Sequence, residues 1–353
     1  MTVEGRSPPS SSRKKKAKGA IGFVIGIALF LWVFLSQDGV EILLGVVRTI
    51  GDRWPLLLVP YAIGAGLSVL CYQVALPGRG RAVPFGALLH AERASIIVNS
   101  VLPFANYGGN FVKVMLLGHW YTTSEVLAAG VWGAIGSGLC NSLAVVGPVV
   151  AIMVGVSDPF AAAIIALLTL TTSIPAFLVI TSVRKGLTAK LIRLLARIPR
   201  IRDEKKTLWL KRARDFDVHL AKAVGERRRD FALHVFIKSG VQVTRVAEIW
   251  LIIELLGLSG GLLVALLFNA VSRTTEQFLS FIPGQFGVFE ASAMLGFSAL
   301  GFSIEDGLAV ALTLRFHFFV SMFVSGSALA TASRVTKKYP PATSLTDGVS
   351  SGA

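Results

Sequence analysis

The sequence predicts an all-α, polytopic membrane protein with about six spanning helices and two re-entrant helical hairpins inserted from opposite faces. Three observations predict this class. Of the 353 residues, 53% are hydrophobic and only 16% are charged, which is typical of a membrane protein. Several apolar runs reach the roughly 20 residues that a bilayer core requires. Two further apolar segments, about 85–118 and 268–301, carry charges and are interrupted by proline and glycine.

The N-terminal part of the chain is expected to contain two spans. Residues 1–18 are rich in serine and proline and then basic, which predicts a disordered cytoplasmic arm. The apolar run 20–35 predicts the first span, because no small-residue cleavage site of a signal peptide follows it. A polar connection at 37–53 leads to a second span at 55–75, and a short basic loop at 76–84 precedes the first hairpin.

The middle of the chain contains two long apolar runs and one strongly basic segment. The runs at 124–155 and 159–183 each predict a span. Residues 184–229 hold sixteen Lys and Arg against five Asp and Glu. This segment is expected to be a cytoplasmic loop that rests on the anionic leaflet.

The C-terminal part predicts two more spans on either side of the second hairpin. These spans lie at 231–256 and 307–332, and the tail at 334–353 is expected to be disordered and cytoplasmic. Residues 19–333 would then form one integral membrane domain.

Charge asymmetry predicts the orientation. With the N-terminus inside, the cytoplasmic segments sum to +20 and the outer segments to −4, as the preference of Lys and Arg for cytoplasmic loops requires. Both termini are therefore predicted to be cytoplasmic, in a plasma or inner membrane. This distribution explains the net charge of +15 without a nucleic-acid partner.

The two interrupted segments resemble each other. Arg93 precedes Pro103 by ten residues and Arg273 precedes Pro283 by ten, at an offset of 180 residues. Since the two segments are predicted to enter from opposite faces, they suggest an inverted repeat, a common plan of secondary transporters. Pro103 and Pro283 should then approach each other near the bilayer centre. The breaks also contain Gly108, Gly109, Gly284 and Gly287.

Arg93 and Arg273 are the leading candidates for binding a substrate. A guanidinium can hold a phosphate or carboxylate through two parallel donors. The alternative is that both form internal ion pairs, Arg273 with Glu276, and Arg93 with Glu92 or with a residue of a partner helix. Both interpretations hold if the substrate competes with the internal pair.

Other charged residues in the predicted spans have structural and functional interpretations. Lys113 and Glu290 follow the two breaks and could pair with each other, or Glu290 could exchange a proton as access alternates. Arg315 is expected to face inward, with Glu290 or Glu276 as its partner. The predicted substrate-binding set is Arg93, Asn99, Lys113, Arg273, Glu276, Glu290 and Arg315.

Three other expectations concern residues without a substrate role. Arg245 and Glu248 should neutralise each other on one helix face. Cys71 and Cys140 should be small buried residues, because both lie in apolar runs. No metal cluster, phosphate loop, dinucleotide fingerprint or nucleophile elbow is found in the sequence, so neither an enzyme, a metal nor a cofactor is expected.

The second hairpin resembles the lysylphosphatidylglycerol synthase transmembrane-region family. Its late P-x-x-x-G-x-x-E motif is Pro283, Gly287 and Glu290, and an earlier segment is similar to 99–118. The likeness covers roughly 20–333. It implies a flippase-like, lipid-handling domain, which in some members is joined to an aminoacyl transferase domain.

This chain is similar to the stand-alone branch, which includes proteins linked to hopanoid and glycolipid pathways. No transferase domain is expected after the last span. The chain departs from the family at Tyr107-Gly108-Gly109 and at Lys113, where many members carry a Gly-Glu pair and an arginine. Because these positions differ, the resemblance does not identify the headgroup that this chain recognises.

The sequence thus favours a protein that moves a polar or anionic lipid, or a lipid-linked headgroup, between leaflets. The first alternative is a non-catalytic accessory or scaffold subunit of a glycolipid, hopanoid or aminoacyl-lipid synthesis pathway. Its partner would be a lipid-synthesis enzyme docked on 184–229. The second alternative, an enzyme acting on a lipid headgroup, lacks a recognisable catalytic arrangement.

Overall fold

The computed structural model describes residues 31, 32, 34–36, 38–78, 83–101, 108–155, 227–278 and 282–339. Within these ranges the chain is helical and contains no strand, which confirms the predicted all-α class. The predicted arm 1–18, the run 159–183 and Pro103 lie outside the described residues. So do most of the first span, most of the basic loop and most of the C-terminal tail.

The described helices follow one another with short connections. They are α1 (Gly39–Ile50), α2 (Leu58–Ala75), α3 (Phe85–Val101), α4 (Gly108–Leu117), α5 (Thr123–Gly155), α6 (Arg228–Leu255), α7 (Gly261–Phe278), α8 (Val288–Ala299) and α9 (Ile304–Lys338). Two short 3₁₀ helices, Gly51–Leu57 and Pro283–Gln285, precede α2 and α8. Of the described segments, Gly39–Ala75 and Ile304–Lys338 are long and apolar enough to cross a membrane.

Helix α1 corrects the predicted polar connection at 37–53. Its charges suggested a loop, but its apolar residues recur at helical spacing and form an exposed stripe, while Val46 and Ile50 are buried on another face. The helix ends at Gly51, whose φ of 52° is readily adopted only by glycine. The exposed stripe consists of Val40, Leu43, Leu44 and Val47.

Two apolar clusters organise the described helices. The first, which we call the α7–α8 cluster, joins those helices to the C-terminal half of α6 and the N-terminal half of α9, around Phe268 and Phe297. The second, the α3–α4 cluster, joins those helices to α2, α5 and the C-terminal half of α9, around Leu116 and Trp132. Because lipid chains are as apolar as these side chains, close packing rather than transfer from water stabilises such clusters in a membrane.

The first interrupted segment has the predicted limits. α3 and α4 lie against each other at Gly109, where a Cβ atom would stand 2.5 Å from the carbonyl oxygen of Ser95. The Gly109 amide also donates to Asn99 Oδ1 at 2.6 Å. Glycine is therefore needed here for close helix contact, as in other membrane helix pairs.

The second interrupted segment begins earlier than predicted, because α7 starts at Gly261 rather than near 268. Its break lies at the predicted Pro-Gly sequence, with Gly284 and Gly287 at φ of 64° and 77°. Gln285 Nε2 donates to the carbonyl of Glu276 at 2.8 Å, which ties the turn to the end of α7. The break of the second segment is therefore described, whereas residues 102–107 of the first segment lie outside the described residues.

Helix α9 extends five residues beyond 333 and corrects the predicted start of the tail. It begins with a reciprocal cap, in which Ser303 Oγ accepts from the Asp306 amide at 3.0 Å and Asp306 accepts from the Ser303 amide at 3.1 Å. It ends with Lys337 and Lys338 in its last turn, where cations complement the helix dipole.

Candidate functional site

A polar band separates the two apolar clusters. On α9 it begins at Arg315, between the buried residues Val310–Leu314 of one cluster and Ala328 of the other. On α6 it begins with His234 and runs toward Glu248. Three cavities open in this band, and charged side chains from different helices line them.

The smallest cavity, of about 190 Å³, is lined by the guanidinium-bearing residues of three helices. We call it the arginine cavity. Arg93 reaches it from α3, Arg245 from α6 and Arg273 from α7. The Nε atoms of all three are buried and have no hydrogen-bond partner among the described residues. The structure thus brings the two predicted arginines together and adds a third.

Glu276 holds two of these arginines. Arg273 Nη1 donates to its Oε2 at 2.8 Å, and Arg245 Nη2 donates to its Oε1. The predicted pair of Arg273 and Glu276 is present. The predicted pair of Arg245 with Glu248 is wrong, because α7 packs on α6 and brings Glu276 to Arg245. Glu248 instead accepts from His317 Nδ1.

Arg93 is the most buried of the three, with 6% of its surface exposed. Its one side-chain hydrogen bond within the described residues runs from Nη1 to Tyr61 Oη at 3.4 Å. Of the two partners predicted for Arg93, Glu92 is wrong, because Glu92 pairs with Lys113. No described carboxylate pairs with Arg93. A buried charge without a counter-ion is unfavourable, so this guanidinium is the one best prepared to receive an anion.

Lys113 pairs within its own interrupted segment. Its Nζ lies 2.5 Å from Glu92 Oε2 and 3.9 Å from the centre of the Tyr72 ring. The predicted partner Glu290 is wrong, since α3 and α4 place Glu92 directly beside Lys113. This pair is a structural link of the first segment.

Glu290 and Arg315 form a second, enclosed pair. Glu290 is fully buried and contacts Arg315 through both oxygens, at 2.5 and 3.1 Å. It also accepts from the Gly287 amide at 2.8 Å. Arg315 donates further to the carbonyls of Gly284 and Gln285, at 2.9 and 3.0 Å. Glu290, one of the two partners predicted for Arg315, is confirmed, and the pair fixes the turn between α7 and α8.

Asn99 connects the two interrupted segments. Its side-chain oxygen accepts from Gly109 in the first segment. The residue also lines a cavity of about 290 Å³ together with Gly284 and Gln285 of the second segment. Because Pro103 lies outside the described residues, its approach to Pro283 stays a prediction, but the segments meet at this cavity.

The largest cavity, of about 480 Å³, contains polar residues that sequence reasoning did not assign to a site. We call it the amide cavity, since Asn99, Asn110, Asn141 and Gln242 line it. A pattern in the sequence could have identified its α6 side. His234, Lys238, Gln242, Arg245 and Glu248 recur at helical spacing along one face of an apolar span.

Two observations bear on other chemistry. Within the described ranges, no group of three or more His, Cys, Asp or Glu side chains could hold a metal ion. Cys71 and Cys140 are both buried, and His234 Nδ1 lies 2.9 Å from the carbonyl oxygen of Cys71. They pack between helices, as small buried residues do.

Comparison with known proteins gives one match. A family model described as the lysylphosphatidylglycerol synthase TM region matches residues 19–326. No curated protein and no solved structure matches the chain.

Proposed function

The chain belongs to the lysylphosphatidylglycerol synthase transmembrane-region family, and from that premise we propose that it moves a polar or anionic lipid headgroup between leaflets. Members of this family are membrane proteins linked to lipid synthesis or transport. The proposal assigns binding and passage of a headgroup to the polar band. That the chain has no enzymatic activity stays a prediction.

The arginine cavity is the observation that carries the proposal. Three guanidiniums line it, whereas one carboxylate, Glu248, lines it and a second, Glu276, is shared by two of the arginines. The three arginines outnumber these two carboxylates by one. Charges are rare within membrane segments and commonly mark substrate pathways. An anionic headgroup would supply the missing counter-charge.

We propose that the headgroup first contacts Arg93 and then competes with Glu276 for the other arginines. Arg93 has no described carboxylate to release, so its binding to a phosphate breaks no ion pair. Arg245 and Arg273 must exchange Glu276 for the headgroup. Because Arg245 and Glu276 join α6 to α7, this exchange would loosen one helix from the other and link binding to movement.

We further propose that the two interrupted segments insert from opposite faces as an inverted repeat. Two observations support this arrangement: each segment contributes two helices, and Asn99 of the first segment lines a cavity together with Gln285 of the second. Sites at the interface of such repeats give access to either leaflet by rocking one half against the other.

The test measures lipid translocation in vesicles that contain the full-length protein. Fluorescent phosphatidylglycerol is the probe, and quenching by external dithionite reports how fast it changes leaflets. Arg93→Gln and Arg273→Gln should each slow translocation about ten- to a hundredfold, because each removes hydrogen bonds to a charged group that contribute roughly 1.5–3 kcal/mol.

The control is Arg48→Gln, which removes an exposed arginine of α1 and should leave the rate unchanged. Unchanged translocation in both cavity variants would overturn the site assignment. If instead only neutralising the basic residues of 184–229 abolished function in cells, the accessory-subunit alternative would be favoured.

A further inference from the structure

The amide cavity contains buried polar atoms without partners. Gln242 is 7% exposed and its Oε1 has no hydrogen-bond partner among the described residues; the Tyr72 hydroxyl, 6% exposed, also has none. Both residues line this cavity. Buried groups of this kind are unfavourable unless a ligand or water completes their hydrogen bonds.

The neighbouring amides offer donors as well as acceptors. Gln242 Nε2 donates to Asn141 Oδ1 at 2.5 Å, which leaves the Asn141 amide hydrogens available. Asn99 likewise uses its oxygen on Gly109 and keeps its own amide hydrogens. The cavity therefore presents donors and acceptors side by side. Hydroxyl groups match such a surface, because each one both donates and accepts.

The charged groups of the cavity favour an anion over a cation. Glu92 is paired with Lys113, and Glu276 is shared by two arginines. Lys238 lines the cavity and has no hydrogen bond or ion pair among the described residues. A phosphate can thus bind to Lys238 without breaking a pair. An ammonium group would find no free carboxylate among the described residues that line this cavity.

Helix α5 leaves the space for such a ligand. Its face toward the cavity carries small residues at helical spacing, Gly130, Gly133, Ala134, Ser137 and Gly138. No heavy atom lies within 4 Å of the point where a Cβ atom of Gly133 would stand. A bulky side chain at this position would extend into free volume.

We infer that the amide cavity binds a polyhydroxylated phosphate headgroup, such as a sugar or polyol phosphate, and rejects aminoacyl headgroups. Arg273, which lines both the arginine cavity and the amide cavity, would contact the phosphate together with Lys238. Gln242, Asn141 and Tyr72 would contact the hydroxyls. This inference rests on the proposed function and deepens it, because it names the class of headgroup. A phosphate with several neighbouring hydroxyl groups occurs both in phospholipid headgroups and in soluble sugar phosphates.

The experiment measures binding to the purified full-length protein in detergent. The probes are dioctanoyl phosphatidylinositol, dioctanoyl phosphatidic acid, lysylphosphatidylglycerol and inositol 1-phosphate. We expect phosphatidylinositol to bind about tenfold more tightly than phosphatidic acid, a difference of about 1.4 kcal/mol. Lysylphosphatidylglycerol should bind more weakly than either. If inositol 1-phosphate binds more weakly than phosphatidylinositol, the ligand is a lipid. If the two bind equally tightly, the ligand is a soluble sugar or polyol phosphate.

Two variants test the position of the hydroxyl contacts. Gln242→Leu and Gly133→Leu should each remove the preference for phosphatidylinositol and leave phosphatidic acid binding unchanged. Gly66→Leu is the matched control, because Gly66 has open space around it but lines none of the three cavities. Unfolding temperatures without ligand show whether each variant is folded.

The outcomes separate the two proposals. Equal binding of phosphatidylinositol and phosphatidic acid, or binding of lysylphosphatidylglycerol as tight as that of phosphatidylinositol, overturns the headgroup inference and leaves the anion site in place. If neither anionic lipid binds, the proposed function fails as well.

Discussion

Glu276 and Glu290 are both bound by arginine, but they differ in accessibility. Glu276 keeps 25% of its side chain exposed and lies between two cavities. Glu290 is fully enclosed, and Arg315 is held in addition by two backbone carbonyls. An entering anion can therefore compete with Glu276, whereas Glu290 stabilises the turn between α7 and α8. Glu276 can therefore exchange its arginine partners for a ligand, whereas Glu290 keeps its pair with Arg315.

Replacing Glu290 should destabilise the protein strongly. Glu290→Gln leaves the Arg315 charge buried without a counter-ion, and breaking a buried pair in this way costs about 3–5 kcal/mol. Replacing both members, with Met at 290 and at 315, should recover part of that loss, since two apolar side chains leave no charge unpaired.

Chemical unfolding of the purified variants in detergent measures these differences. Glu305→Gln is the control, because Glu305 is an exposed carboxylate in the first turn of α9. Its loss should cost less than about 1 kcal/mol. A Glu290→Gln variant as stable as the parent would contradict a structural role for the pair.

Ion pairs were predicted correctly from the sequence in two situations: where the partners are close on one helix, and where a charge in an apolar span requires a counter-ion. Arg273 and Glu276 are three residues apart on one helix, and Arg315 in an apolar span needed a carboxylate. The prediction failed for Arg245, which lies three residues from Glu248 but forms its ion pair with Glu276 of a neighbouring helix. Spacing along one helix does not reveal which side of that helix a neighbour covers.

At the scale of helices, the break before α8 was predictable from the sequence, whereas helix α1 was not. Pro283, Gly284 and Gly287 marked the turn before α8, since proline and glycine are the residues that such a turn requires. Helix α1 was missed because its charges outweighed the apolar spacing in the prediction. The α6 side of the amide cavity was missed for a similar reason, because Lys238 and Gln242 were not read as one face.

Close packing of α3 on α4 makes a prediction at this scale. Gly109→Ala should destabilise the protein by about 1–3 kcal/mol, because the new methyl group would stand 2.5 Å from a backbone oxygen that cannot move aside. Gly86→Ala, at a helical position of α3 with open space, should stabilise by about 0.5–1 kcal/mol.

The two alanine variants are compared by their unfolding free energies under the same detergent conditions. The expected changes have opposite signs although the substitution is identical. Equal effects would show that α3 and α4 do not depend on this close contact.

At the scale of the molecule, α9 is common to both apolar clusters and to the polar band between them. Its N-terminal half packs in the α7–α8 cluster and its C-terminal half in the α3–α4 cluster. Arg227 ties the start of α6 to the end of α2, because it donates to the carbonyls of Val74, Ala75 and Leu76. In the proposed function, movement of one cluster against the other would therefore involve α9.

The predicted orientation can be tested by thiol labelling. Ser259→Cys lies in the exposed connection before α7, and Ser333→Cys is exposed near the end of α9. A membrane-impermeant maleimide should label Ser259→Cys in intact cells and Ser333→Cys only in inverted vesicles. The native cysteines are buried, so their background should be low. The reverse pattern would contradict cytoplasmic termini.

The position of Arg315 along α9 also determines where the polar band would lie in the transmembrane electric field. In the predicted orientation, Asp306 lies at the outer edge of the bilayer core. Arg315 follows Asp306 by nine residues, about 13 Å along a helix, which would place it close to the middle of a core about 30 Å thick. A charge that crosses the whole membrane gains or loses about 2.3 kcal/mol per 100 mV. A headgroup that reaches the depth of Arg315 would therefore experience roughly half of that energy. Translocation of an anionic lipid should then change severalfold when a potassium gradient with valinomycin imposes 100 mV, and a rate independent of voltage would mean that the headgroup crosses with its charge neutralised.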